Sequence, residues 1–209
     1  MKRGLFAPAA ILAALCGAYF WWRRHPSACP YALRLWVQVP HPFITRTRLR
    51  RALRPEPGER VLEIGPGTGY YTIDLARWLG PDGRLDIFDL QREMLDHTMR
   101  RVRAAGHSNV VDTQGDARKL PYGDEEFDAV VMTTVLGEIP DRRAALQEVR
   151  RVLRPGGRLV VGEIFVADPH WLGPSRLRSE CAGVDLKHCG SDGAVLGLGY
   201  FARFERTPI

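Results

Sequence analysis

The chain has 209 residues, a formal charge of +6, 45% hydrophobic and 26% charged side chains, enough for one domain with a real core. The charge is lopsided: residues 1–60 hold 11 Lys/Arg against 2 Asp/Glu, whereas residues 61–209 hold 19 against 22. A slightly acidic body argues against a nucleic-acid partner, which favours a basic cleft, and a basic segment beside an apolar one points to an anionic membrane surface.

Residues 4–22 carry no charge and are long enough to cross a bilayer as a helix. Tyr19, Trp21 and Trp22 gather at one end, followed by Arg23 and Arg24. Bulky aromatics there disfavour signal-peptide cleavage. Residues 1–24 are expected to form a membrane anchor, spanning or lying in the interface, with the heavier basic flank placing the rest in the cytoplasm. Residues 25–54 would form an amphipathic linker between anchor and body that covers the active site. Tyr31, Leu35, Trp36 and Val39 recur near helical spacing before Pro40 and Pro42 interrupt. A second helical stretch, 44–53, alternates with arginines. It either lies along the membrane and covers a site, or packs on the body as a solvated basic helix.

From residue 55 onward strand and helix patterns alternate, which predicts an α/β domain with a largely parallel sheet. The first strand, Val61-Leu62-Glu63-Ile64, ends in Gly65-Pro66-Gly67-Thr68-Gly69 and a helix over 70–79. Glycines there allow a sharp turn and let a ligand press on bare backbone. The second strand, 85–89, ends in Asp89, twenty positions after Gly69, the spacing at which nucleotide-binding domains offer a carboxylate to ribose. A helix over 91–105 follows, with Met94, Leu95, Met99 and Val102 as its apolar face. Strands are expected near 109–114, at 127–134 and at 158–165. A helix over 142–153 is capped by Asp141, a turn covers 154–157, a helix covers 175–182, and a strand pair, 184–188 and 198–206, closes the domain.

The third glycine comes one position too early for the dinucleotide fingerprint, and no Lys-Ser/Thr pair follows it, which excludes a P-loop. Gly-Pro-Gly-Thr-Gly with Asp89, Gly115-Asp116-Ala117, Leu120-Pro121-Tyr122 and Phe127-Asp128 resembles the class I S-adenosylmethionine (SAM) methyltransferases, in particular the ubiquinone/menaquinone-biosynthesis type, from about residue 55 to the C-terminus. The resemblance implies a Rossmann-like sheet of seven strands with helices on both faces and SAM as cofactor. It implies cofactor-binding roles for Glu63, Gly65, Gly67, Gly69, Asp89, Leu90, Asp116, Ala117 and Leu136. Glu63 would support the methionine ammonium, Asp89 the ribose, Asp116 and Ala117 the adenine, and the Leu136 backbone the ammonium again. Glu138 stands where many relatives have His.

Glu138 and His170 are the candidate catalytic residues, each with a plain alternative, a helix cap and a loop histidine. The lesser alternatives are that Asp89 caps its helix and that Asp116 is a turn residue. Cys16, Cys29, Cys181 and Cys189 have no metal-ligand spacing, and no metal is expected. No insertion builds a lid, so the acceptor pocket must draw on residues 31–50 and the rim loops. Beside a membrane the acceptor would be apolar: a lipid head group, a quinone-like ring or a small hydrophobic molecule. The rival classes are a SAM-binding scaffold without activity and, more distantly, a nicotinamide-dependent reductase.

Overall fold

A computed structural model describes residues 17, 23–38, 42–165, 168, 170–193 and 197–207. The expected anchor, 4–22, lies outside these except for Gly17. No helix among the described residues is long and apolar enough to cross a membrane.

Seven strands form one sheet: β1 (Arg60–Ile64), β2 (Arg84–Asp89), β3 (Val110–Gln114), β4 (Phe127–Thr133), β5 (Leu153–Ile164), β6 (Leu186–Gly193) and β7 (Gly199–Arg206). Their order is β3-β2-β1-β4-β5-β7-β6. The first five are parallel, and β7 runs antiparallel between β5 and β6. β1 is apolar on both faces because helices cover both: its last four residues are all buried. The chain winds outward from β1 to β3, then returns to lay β4 on the other side of β1. At that reversal the strand ends diverge and leave a crevice.

The helices are α1 (Arg34–Gln38, after a 3-10 turn at Tyr31–Leu33), α2 (Arg46–Leu53), α3 (Thr72–Leu79), α4 (Arg92–Ala104), α5 (Arg142–Val152) and α6 (Pro174–Ala182). One face of the sheet takes α2, α3 and α4, through Leu49, Leu53, Leu75, Leu79, Leu95 and Val102. The other takes α5 and α6, through Leu146, Val149, Val152, Leu177 and Cys181. Asp141 caps α5 by accepting from the Ala144 amide at 3.0 Å. α2 lies against the sheet, with Ile44, Leu49 and Leu53 fully buried. Its last carbonyls, Leu53 and Arg54, accept from the Arg158 guanidinium, which also meets Glu59 at 2.6 Å.

Two elements differ from the sequence expectation. β5 begins at Leu153 rather than 158: pairing with β4 jumps from Leu153↔Phe127 to Arg158↔Ala129, so 154–157 bulge out within an extended strand. β6 runs to Gly193 because a register shift between His188 and Gly190 lets a polar sequence keep pairing with β7. At the amino ends of the strands, the fully buried Asp86 is gripped by Arg60 at 3.0 Å and Arg84 at 2.8 Å. This end is tied by charge, and the carboxyl end is left open.

Candidate active site

A cavity of about 330 Å³ opens at the carboxyl ends of β1, β2 and β4. Its floor is the glycine turn after β1. Gly65 and Gly67 hold φ of 70° and 56°, left-handed values that L side chains rarely adopt. A Cβ on Gly65 would overlap the Val135 side chain from the β4 end, so the glycine is required for the two strand ends to meet.

Asp89, ending β2, stands at one side of the cavity. Its Oδ1 accepts from the Gln91 amide at 2.8 Å. Burial raises its carboxyl to about 6, with the backbone bonds of Gln91 and Leu90 pulling the other way. Leu90, Gly115, Asp116 and Ala117 continue this wall. Asp116 is held by Arg118, Nη2 to Oδ2 at 2.6 Å, and this pairing lowers its pKa.

Glu138 closes the opposite side, in a 3-10 turn, Leu136–Glu138, just beyond β4. Burial pushes its carboxyl up to about 8, and the charges of Asp168 and Asp89 add to the rise. Its Oε2 accepts from the Cys29 amide at 3.1 Å. Residues 27–31 thus form a strap, of which Ser27, Ala28 and Cys29 wall the cavity from the N-terminal side.

The remaining expected site residues lie behind the lining. Glu63 is buried, its Oε2 accepting from Thr72 Oγ1 at 2.6 Å, and burial lifts its carboxyl to about 7. Gly69 packs against Thr98. Leu136 is fully buried, and its carbonyl accepts from the Ile139 amide. His170 is buried, its amide donating to Asp168 Oδ1 at 2.8 Å, and its carbonyl abuts Gly137. Sequence reading missed Gln91, Thr133 and Thr134 as lining residues, and held Ser27, Ala28 and Cys29 only as part of the 25–54 linker expected to cover the site. The signal for Gln91 was its place two residues after Asp89; nothing local marked the strap.

The donor set suits a positively charged ligand. Burial raises the carboxyls of Glu63, Asp89 and Glu138, and the charge of Asp89 adds to the rise at Glu63 and Glu138. A cation in the cavity would relieve this repulsion in a site water cannot fully screen. Among the described residues no group of His, Cys, Asp or Glu is arranged to hold a metal.

A seven-stranded sheet reversing at β1, a glycine turn at the switch point and acids around the crevice make a doubly wound α/β domain with a ligand site at the carboxyl ends of its strands. Residues 61–157 match the family model for a methyltransferase domain. Among curated proteins, the chain is 38% identical over 116 residues to the ubiquinone/menaquinone biosynthesis C-methyltransferase UbiE of Vibrio vulnificus, a match covering 54% of this chain and 45% of that protein. The chain therefore spans about half the length of such relatives. Among solved structures, a SAM-dependent methyltransferase from Aquifex aeolicus superposes with a TM-score of 0.78 at 17% identity, over 86% of this chain and all of that one. The N-methyltransferase NodS from Bradyrhizobium japonicum, in complex with S-adenosyl-L-homocysteine, gives 0.65 at 22% identity, over 78% and 85% of the two chains.

Proposed function

We propose that this chain is a SAM-dependent methyltransferase whose acceptor is a small hydrophobic molecule, with a quinone-like ring the leading candidate. The observation that carries the reading is a cavity lined by both Asp89 and Glu138, with the glycine turn between them. The resemblance to UbiE favours the quinone-like acceptor.

SAM supplies an electrophilic methyl group on a cationic sulfur. In this reading Asp89 accepts from the ribose hydroxyls, and Leu90 flanks them. Asp116 and Ala117 meet the adenine, which requires Asp116 to share its carboxylate with Arg118. Gly65 and Gly67 let the cofactor lie on bare backbone. Glu63, Gly69 and Leu136 act from behind: Glu63 supplies negative charge to the methionine end, and the other two hold the glycine turn and the β4 end in shape. Glu138 takes a proton from the acceptor as the methyl arrives, a task suited to a carboxyl near 8. His170 supports this side through its backbone contact with Gly137 and its bond to Asp168. Most of the acceleration then comes from alignment and exclusion of water, with the strap completing the acceptor side.

The apolar segment 4–22 would hold the enzyme at a membrane, where such an acceptor dissolves. The deciding experiment supplies methyl-labelled SAM with a demethylated quinol or a lipid extract and follows label into the organic phase. Incorporation into the quinol supports the reading. Incorporation only into another lipid replaces the acceptor. SAM binding with no transfer to any fraction would leave a scaffold.

A further inference from the structure

Gln91 meets the strap with both halves of its side-chain amide. Its Nε2 donates to the Cys29 carbonyl at 2.9 Å, and its Oε1 accepts from the Tyr31 amide at 3.0 Å. The assignment of oxygen and nitrogen follows from the partners, since a carbonyl only accepts and an N–H only donates. The amide thus pairs with residues i and i+2 of the strap as a neighbouring strand would. The backbone amide of this same Gln91 donates to Asp89 Oδ1 at 2.8 Å. One residue therefore touches the acid on the cofactor side and the segment that walls the cavity.

The strap has two further attachments. Across the cavity, the Cys29 amide donates to Glu138. On α4, His97 lies between Tyr31 Oη at 3.3 Å and Gln38 Nε2 at 3.0 Å. The Gln38 amide nitrogen only donates, so His97 Nε2 accepts and its Nδ1–H points to Tyr31. These bonds hold the strap near the body, and Gln91 joins it to the loop that carries Asp89.

We propose that Gln91 is a positioning residue that couples cofactor binding to closure of the strap: it transmits order at Asp89 to Cys29, and Cys29 in turn holds Glu138 in place. The proposal deepens the functional reading above and rests on its placement of the cofactor beside Asp89. Gln91 contacts no reacting atom in this scheme. It fixes the wall against which the acceptor is held and keeps the bound cofactor from escaping under the strap.

The test is hydrogen exchange at the Cys29 amide in the full chain, with and without S-adenosyl-L-homocysteine. Cys29 donates to Glu138 and not to Gln91, so its exchange reports strap closure rather than the deleted bonds themselves. Gln91→Leu keeps the size and loses both bonds. The loss of two ordinary hydrogen bonds shifts the closing equilibrium by about thirtyfold. Cys29 exchange should accelerate to that order, and release of S-adenosyl-L-homocysteine should quicken several-fold, while the melting temperature holds. Gln91→Glu keeps the acceptor for Tyr31 and should fall between; it carries the test if the leucine variant folds poorly. Cys29 exchange and ligand release equal to wild type in these variants would overturn the proposal. If the wild-type chain fails to bind S-adenosyl-L-homocysteine, the functional reading falls with it, whereas Cys29 exchange without ligand still decides whether Gln91 holds the strap.

Discussion

Replacing Glu138 by Gln separates its charge from its shape. The glutamine carbonyl still accepts from the Cys29 amide, so the strap keeps that contact. What disappears is the ionisation. The Glu138 carboxyl is raised from 4.5 to about 8 in the folded chain, with burial the largest cause. A carboxyl raised on folding contributes stability that is fully present below its unfolded pKa and lost as pH climbs toward the folded one. The wild-type chain should therefore lose stability at this residue between pH 4.5 and 8. One pKa unit corresponds to about 1.4 kcal/mol, and partial solvent contact trims the total, so the loss by pH 7 is about 1–3 kcal/mol. Glu138→Gln removes that slope. Urea melts of wild type and variant at pH 5, 7 and 8.5 measure it: the variant should gain on wild type as pH rises. The same variant should bind SAM nearly as well as wild type and transfer methyl groups about a hundredfold more slowly or worse, if proton removal is its task. Parallel stability profiles would show that the carboxyl is not raised, and unchanged transfer rates would remove it from the chemistry.

Asp89→Ala should weaken SAM by roughly tenfold or more in calorimetry, the worth of a hydrogen bond to a charged group; unchanged affinity would unseat the ribose assignment. Arg158→Met should destabilise the fold by about 3 kcal/mol in denaturant melts, because it strands Glu59 and the last carbonyls of α2 together. A chain beginning at Arg23 keeps the strap and should retain SAM binding while leaving the membrane fraction; if it stays with membranes, the attachment lies elsewhere in the chain.

The fold was legible wherever one physical constraint dominated a short stretch. β1 could be read because an apolar run buried on both faces has few alternatives, and the start of α5 because Asp141 is a strong cap. Strand ends then indexed Asp89, Gly115-Asp116-Ala117 and Glu138, all of which line the cavity. The strap was legible only as part of a linker expected to cover the site, not as the particular residues that wall the cavity. Its decisive contacts join Cys29 to Glu138, 109 residues apart, and Tyr31 to Gln91, 60 apart, and no periodicity encodes such pairs. β5 was read short because Pro155-Gly156-Gly157 has the composition of a turn, and here the turn is absorbed as a bulge within the strand. The raised carboxyls were equally hidden, since they depend on burial and on charges brought together from β1, β2 and the turn after β4.

The broken register of β6 bears on how copies of this protein meet. β6 is the outer strand of its side of the sheet, and most of its residues from Lys187 to Gly193 face solvent. An open edge of that length invites a second sheet to dock strand to strand, the first step toward fibrils. The shift between His188 and Gly190 twists the edge out of line, Lys187 places a charge on it, and Arg48 covers Asp192 near its far end. Such an edge is a poor template for strand addition. Self-association, where it occurs, is better served by helical or loop surfaces than by growth of the sheet through this edge.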